Sequence, residues 1–153
     1  MSQENGQYLV YIGTYTRGAS EGVYVYRFDA STGSMEHLST AGGLQNPTFL
    51  AIDPAEQYLY AVEEIDTESG HPAGVVHAFS IDQTTGELTR LNHQPLGGTV
   101  SCHLSVDSTG RYVLFANYGS GSVGMLPIRE DGSLNEMSDF VQHEGSSVDA
   151  NRK

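Results

Sequence analysis

Apolar positions along the 153-residue chain fall in short runs broken by Gly, Asp, Asn, Ser and Thr. The clearest run sets Val75, His77, Phe79 and Ile81 against Val76, Ala78 and Ser80, which is the two-residue period of a strand. Four strand-like runs rich in β-branched and aromatic residues occupy residues 48–53, 58–63, 74–82 and 88–94, each bounded by turn formers. The next stretch repeats the pattern at 102–107, 112–117, 122–129 and 137–141. The first stretch offers three runs, 8–13, 22–29 and 35–40.

These runs are copies of one another. Gln7-Tyr8-Leu9-Val10-Tyr11-Ile12, Gln57-Tyr58-Leu59-Tyr60-Ala61-Val62 and Arg111-Tyr112-Val113-Leu114-Phe115-Ala116 read alike, with their first tyrosines 50 and 54 residues apart. Phe49-Leu50-Ala51-Ile52-Asp53-Pro54 matches His103-Leu104-Ser105-Val106-Asp107-Ser108 at the same spacing of 54. The glycines of three Asp-containing turns, Gly33, Gly86 and Gly132, lie 53 and 46 residues apart. A period near 50 carrying four antiparallel strands is the signature of propeller blades. The expected fold is all-β: blades of four antiparallel strands, about two and three-quarter of them. The first, partial blade takes residues 1–45, the second 46–99 and the third 100–145, with 146–153 starting a linker. Closing a propeller takes roughly four to eight blades, so the chain reads as an N-terminal portion of a longer propeller. A short chain that closes a ring by oligomerising is the rival, and the sequence leaves the oligomeric state open.

Composition agrees. Eighteen glycines and nine tyrosines, with charged residues at 17%, argue against a helical bundle or coiled coil. Seven basic residues against 19 acidic ones give a net charge of −12. Such a surface disfavours nucleic acid and anionic membranes, while an anionic small substrate would need locally placed cations. The single Cys102 forms no internal disulfide. The opening residues lack the regions of a signal peptide, and no apolar run approaches the ~18 residues of a span, so a soluble, cytoplasmic protein is expected. His37, His77 and His93 lack ligand spacing and the glycines form no phosphate loop, so neither metal nor cofactor is expected.

In a meander the connections alternate between two ends. One end gathers turns such as Asp53-Pro54-Ala55-Glu56 and Asp107-Ser108-Thr109-Gly110, whose residues are turn formers. The other gathers the loops after each second strand and the turns leading into each first strand. It brings together Gly13 to Arg17, Glu63-Glu64 with His71, Asn117-Tyr118-Gly119, Gln45-Asn46-Pro47 and Cys102-His103. The stretch from His143 to Arg152 leads toward the same end. Ionisable groups concentrate here, where a small-molecule pocket is expected. Adjacent residues on a strand face opposite ways, which argues against a Cys102–His103 nucleophile pair. By the same rule, one of Glu63 and Glu64 faces the channel and the other faces packing or solvent.

Four segments resemble the lactonase family of seven-bladed propellers, which includes bacterial 6-phosphogluconolactonases and fungal carboxymuconate-cyclising enzymes. They are Tyr11-Ile12-Gly13-Thr14-Tyr15-Thr16, Asn46-Pro47-Thr48-Phe49-Leu50-Ala51, Cys102-His103-Leu104-Ser105-Val106-Asp107 and Ala116-Asn117-Tyr118-Gly119-Ser120-Gly121-Ser122-Val123. The resemblance covers nearly the whole chain and less than half the length of a family member. It implies hydrolysis of a sugar lactone, 6-phosphogluconolactone to 6-phosphogluconate in the pentose phosphate pathway, by the full-length protein. His103, Asn117 and Arg152 match family motif positions, as does Glu64, whereas Glu63 stands where members often have Asn. For water attack on a lactone carbonyl, Glu64 or His103 would activate or orient the water. Asn117 and Tyr118 would donate hydrogen bonds, and Arg17 and Arg152 would bind the anionic end. Asn46 and His143 complete the expected binding set. A lactone-forming cycloisomerase of a dicarboxylate and a non-enzymatic binding propeller are the alternatives.

Overall fold

The computed structural model describes residues 6–65, 73–146, 148 and 149. Every run expected from the sequence is a strand: β1 (Gln7–Ile12), β2 (Gly22–Asp29), β3 (Ser34–Gly42), β4 (Pro47–Ile52), β5 (Tyr58–Ile65), β6 (Ala73–Ile81), β7 (Leu88–Thr99), β8 (Ser101–Val106), β9 (Tyr112–Asn117), β10 (Ser122–Pro127) and β11 (Asp139–Gln142). They form three antiparallel meanders, β1-β2-β3, β4-β5-β6-β7 and β8-β9-β10-β11, which are blades 1, 2 and 3 of a partial propeller. No helix occurs among the described residues.

The largest departure from the expected boundaries is β7, which runs past Pro95 to Thr99. Pro95 reads as a breaker, but β7 is the outer edge of its sheet, where a missing N–H interrupts no ladder on the open side. Leu96, fully buried beyond it, anchors the extension. By the repeat, β1 corresponds to β5, the second strand of its blade. No described strand fills the place in blade 1 that β4 fills in blade 2.

Blade 2 is buried on both faces. Leu59, Ala61, Phe79 and Ile81 pack with Leu44, Tyr11 and Leu50 toward blade 1. Tyr60, Val62, Val76 and Ala78 pack with Leu104, Val113, Phe115 and Leu126 toward blade 3. Each large apolar side chain so buried contributes roughly 1.5–3 kcal/mol, and the alternation seen in the sequence sorts them between the two seams. Polar clamps sit at the margins: Asn92 donates to the Leu134 carbonyl (2.8 Å) and accepts from the Leu134 N–H (2.9 Å). Among the described residues, blade 3 is covered on one face only. Its far face leaves Leu114, Val123 and Val141 exposed around an apolar cleft of about 390 Å³.

The Asp turns at one end are structural. Asp53 accepts from the N–H groups of Ala55, Gln57 and Tyr58, and Asp107 from those of Thr109, Arg111 and Tyr112. The Thr109 hydroxyl and these N–H donors hold Asp107 down to about 2 against the opposing effect of partial burial.

Candidate active site

At the opposite end, blades 2 and 3 share a backbone device. The residue before each inner strand, Asn46 and Val100, has positive φ (48° and 52°), and the two lie one repeat of 54 apart. Directly after it each inner strand bulges, at Thr48 in β4 and at Cys102 in β8. A bulge places two residues opposite one and re-aims their side chains. The loop after each second strand is then bonded back to this turn: Glu64 N–H to the Asn46 carbonyl (3.3 Å) and Tyr118 N–H to the Val100 carbonyl (2.9 Å). The two sets of loops assigned to one end by topology therefore meet there. Blade 1 closes in on the same turn because Gly13 has no side chain; a Cβ there would lie 2.2 Å from the Pro47 carbonyl oxygen.

Glu64 continues the Tyr58, Tyr60, Val62 series and so lies on the side of β5 that faces blade 3. It is buried, and the Thr48 hydroxyl donates to its Oε1 at 3.1 Å. Phe49, the next residue, carries the His103 ring at 4.4 Å between centroids. Glu64, Thr48, Phe49 and His103 thus line the side of blade 2 and the inner strand of blade 3 at one seam, with His103 exposed and Glu64 recessed. A buried carboxylate and an exposed imidazole on one seam supply the two groups of acid–base chemistry: the first can orient and deprotonate a water, the second can donate a proton.

The remaining expected residues take different places. Asn46 is buried; its Oδ1 accepts from Thr16 N–H (3.1 Å) and its Nδ2 donates to the Glu64 carbonyl (3.3 Å), so it frames Glu64 from behind. Asn117 is only 2% exposed. Its Oδ1 accepts from the Ser101 hydroxyl, and its Nδ2 donates to Leu96 O (3.2 Å) and Ser122 Oγ (3.0 Å). That amide is engaged in the wall, and a substrate hydrogen bond from it would have to break one of these. Tyr118 is 72% exposed at the mouth. Arg17 is exposed on the loop after β1, its guanidinium over the Tyr15 ring at 5.9 Å. His143 follows β11, the outermost strand of blade 3. Three strand spacings, about 14 Å, separate such a position from the innermost strand, so the structure does not group His143 with Glu64 and His103. Arg152 and His71 lie outside the described residues. The bulge of β8 lies at Cys102, and Cys102 and His103 are both exposed.

Sequence reasoning missed Thr48 and the partners of Glu63. Glu63 points into the blade 1–blade 2 side, where its carboxylate accepts from the Gln45 N–H (2.5 Å) and pairs with Nε2 of buried His77. Burial pushes its carboxyl up, but the His77 ring, the Gln45 N–H and the Arg90 charge outweigh that and hold it below the ordinary range. The signal was present in the alternation: His77 shares a face of β6 with Val75, the register partner of Glu63. No cluster of three metal-ligating side chains exists among the described residues.

Antiparallel meanders of three, four and four strands define part of a β-propeller, with Glu64 and His103 at one end as a candidate site. Residues 9–153 match the lactonase family, a seven-bladed beta-propeller, and the chain belongs to it. It is similar to a 6-phosphogluconolactonase of Bacillus subtilis strain 168, with 41% identity over 91% of this chain and 38% of that protein. A Bacteroides fragilis crystal structure assigned provisionally as a 6-phosphogluconolactonase superposes with a TM-score of 0.87 at 34% identity, covering 99% of this chain and 41% of that one. The periplasmic gluconolactonase PpgL of Pseudomonas aeruginosa superposes at 0.84 with 33% identity, covering 94% of this chain and 41% of that one. The chain therefore spans about 40% of the length of these relatives. No helix among the described residues is long and apolar enough to cross a membrane.

Proposed function

We propose that residues 1–153 supply the partial first blade and the second and third blades of a propeller that hydrolyses a sugar lactone, 6-phosphogluconolactone to 6-phosphogluconate. The observation that carries this reading is the recessed Glu64 carboxylate, held by Thr48, on the same blade 2–blade 3 seam as the exposed His103, which packs on Phe49. The 41% identity to a 6-phosphogluconolactonase supports the substrate. Glu64 takes a proton from water attacking the lactone carbonyl, and His103 passes a proton to the departing ring oxygen. Tyr118 donates to the substrate from the mouth. Arg17 and Arg152, together with groups from further blades, attract the anionic end against the overall negative charge.

The test is hydrolysis of 6-phosphogluconolactone, corrected for spontaneous opening, alongside unphosphorylated sugar lactones and a carboxymuconate. Two proteins are compared: this chain, and a seven-bladed chimera in which it replaces the matching segment of the Bacillus subtilis relative. Turnover of the phosphorylated lactone by the folded chimera is expected. Turnover of the muconate alone would make the site a cycloisomerase, and no turnover of any of them would leave a binding propeller.

A further inference from the structure

The Glu63–His77 pair holds a specific piece of chain. Glu63 accepts from the Gln45 N–H, and Arg90 on β7 donates to the carbonyls of Gly42 (3.4 Å) and Gly43 (3.2 Å). Residues 42–46, the crossing from blade 1 to blade 2, are thus tied to blade 2 at both ends. The segment finishes at Asn46, whose carbonyl accepts the Glu64 N–H and whose side chain donates to the Glu64 carbonyl. Both backbone groups of Glu64 therefore rest on a turn that Glu63 holds.

His77 is built for this task. Its ring lies 5.2 Å from that of His93, directly across the strand pair, and is buried. Its Nδ1 is buried and has no hydrogen-bond partner among the described residues. A bare lone pair there is tolerated better than an orphaned N–H, which assigns the proton to Nε2, where it is donated to Glu63. Blade 3 does the same job with neutral groups: Asn117, one repeat after Glu63, ties β9 to β8 through Ser101 and to β7 through Leu96.

We propose that Glu63, backed by His77, is a positioning residue for lactone hydrolysis, fixing the 42–46 turn and through Asn46 the backbone on both sides of Glu64. The inference rests on Glu64 being the acting carboxylate.

The experiment combines hydrogen exchange over residues 42–46, in this chain and in the seven-bladed chimera, with kcat and KM of the chimera. Losing a hydrogen bond to a charged group raises exchange at Gln45 by about ten- to a hundred-fold in Glu63→Ala. The same variant is expected to lose about ten-fold in kcat with KM nearly unchanged, since Glu63 does not touch substrate. Glu63→Gln, which keeps the acceptor, restores most of both. Should Glu63→Ala fail to fold, His77→Phe, which removes the donor and keeps the volume, is read for the same changes at smaller size. Unchanged Gln45 exchange overturns the proposal, as does raised exchange with an unaltered kcat per folded molecule and only a lower Tm. A folded wild-type chimera that turns over no lactone instead removes the reading of Glu64, while the exchange data still decide whether Glu63 holds the turn.

Discussion

Blades 2 and 3 are copies in backbone and strangers in chemistry. At positions one repeat apart they share a positive-φ residue (Asn46, Val100), a bulge (Thr48, Cys102) and a side chain that pins the turn (Glu63, Asn117). Yet blade 2 buries two carboxylates and a histidine there, whereas blade 3 uses an amide and hydroxyls and leaves Tyr118 in the open. Buried charge is unfavourable unless matched by partners. Blade 2 keeps it with partners for both: His77 and Gln45 for Glu63, Thr48 for Glu64. The repeat specifies the scaffold, and the departures from it mark the candidate chemistry.

The comparison is broken most severely at the shared seam. Phe115→Ala empties the core between the two blades and is expected to destabilise by about 3–5 kcal/mol in denaturant unfolding. Next come the two pins. Glu63→Ala, which leaves the buried His77 Nε2–H without its acceptor, is expected to lose about 3 kcal/mol, and Asn117→Ala about 2 kcal/mol. These two should separate with pH. Glu63 sits below its unfolded value near 4.3, so its contribution is present above that value and fades as pH falls through the folded one. The deficit of Glu63→Ala shrinks in acid, and that of Asn117→Ala does not.

A gentler contrast lies in the end-face turns. Asp107, held at about 2, stabilises the fold above pH 4 and loses that effect as pH falls toward 2, so Asp107→Asn should lower stability at neutral pH, with a deficit that shrinks as pH falls toward 2. The smallest effect separates Val100 from Asn46. A β-branched residue at positive φ is strained, so Val100→Gly is expected to raise stability by up to about 1 kcal/mol. Asn46→Gly lowers it, because the bonds to Thr16 and Glu64 go with the side chain.

Much of this was written in the chain. Three series of matching residues gave the blades, and alternation in β6 sorted its side chains between two seams. Meander topology also gathered the right loops at one end, because it depends only on strand order. What escaped depended on local geometry. The expected run 88–94 ends short of Pro95, whereas the strand continues through it because a missing N–H is tolerated on an edge. Asn117 looked like a donor to substrate because a turn-flanking amide reads the same whether free or engaged by Ser101, Leu96 and Ser122. In the sequence His143 groups with the site because the stretch it opens leads toward that end, although as the residue after β11 it starts from the outermost strand. The Cys102 bulge, which defeats strict alternation, has no residue signature of its own.

The measurement that bears most directly on the account is the rate of 6-phosphogluconolactone hydrolysis by the folded seven-bladed chimera with Glu64 and with Glu64→Gln. Loss of a positioned proton acceptor predicts a fall of at least about 100-fold. Equal rates, with the fold intact in both, would contradict the placement of the chemistry at the seam between blades 2 and 3.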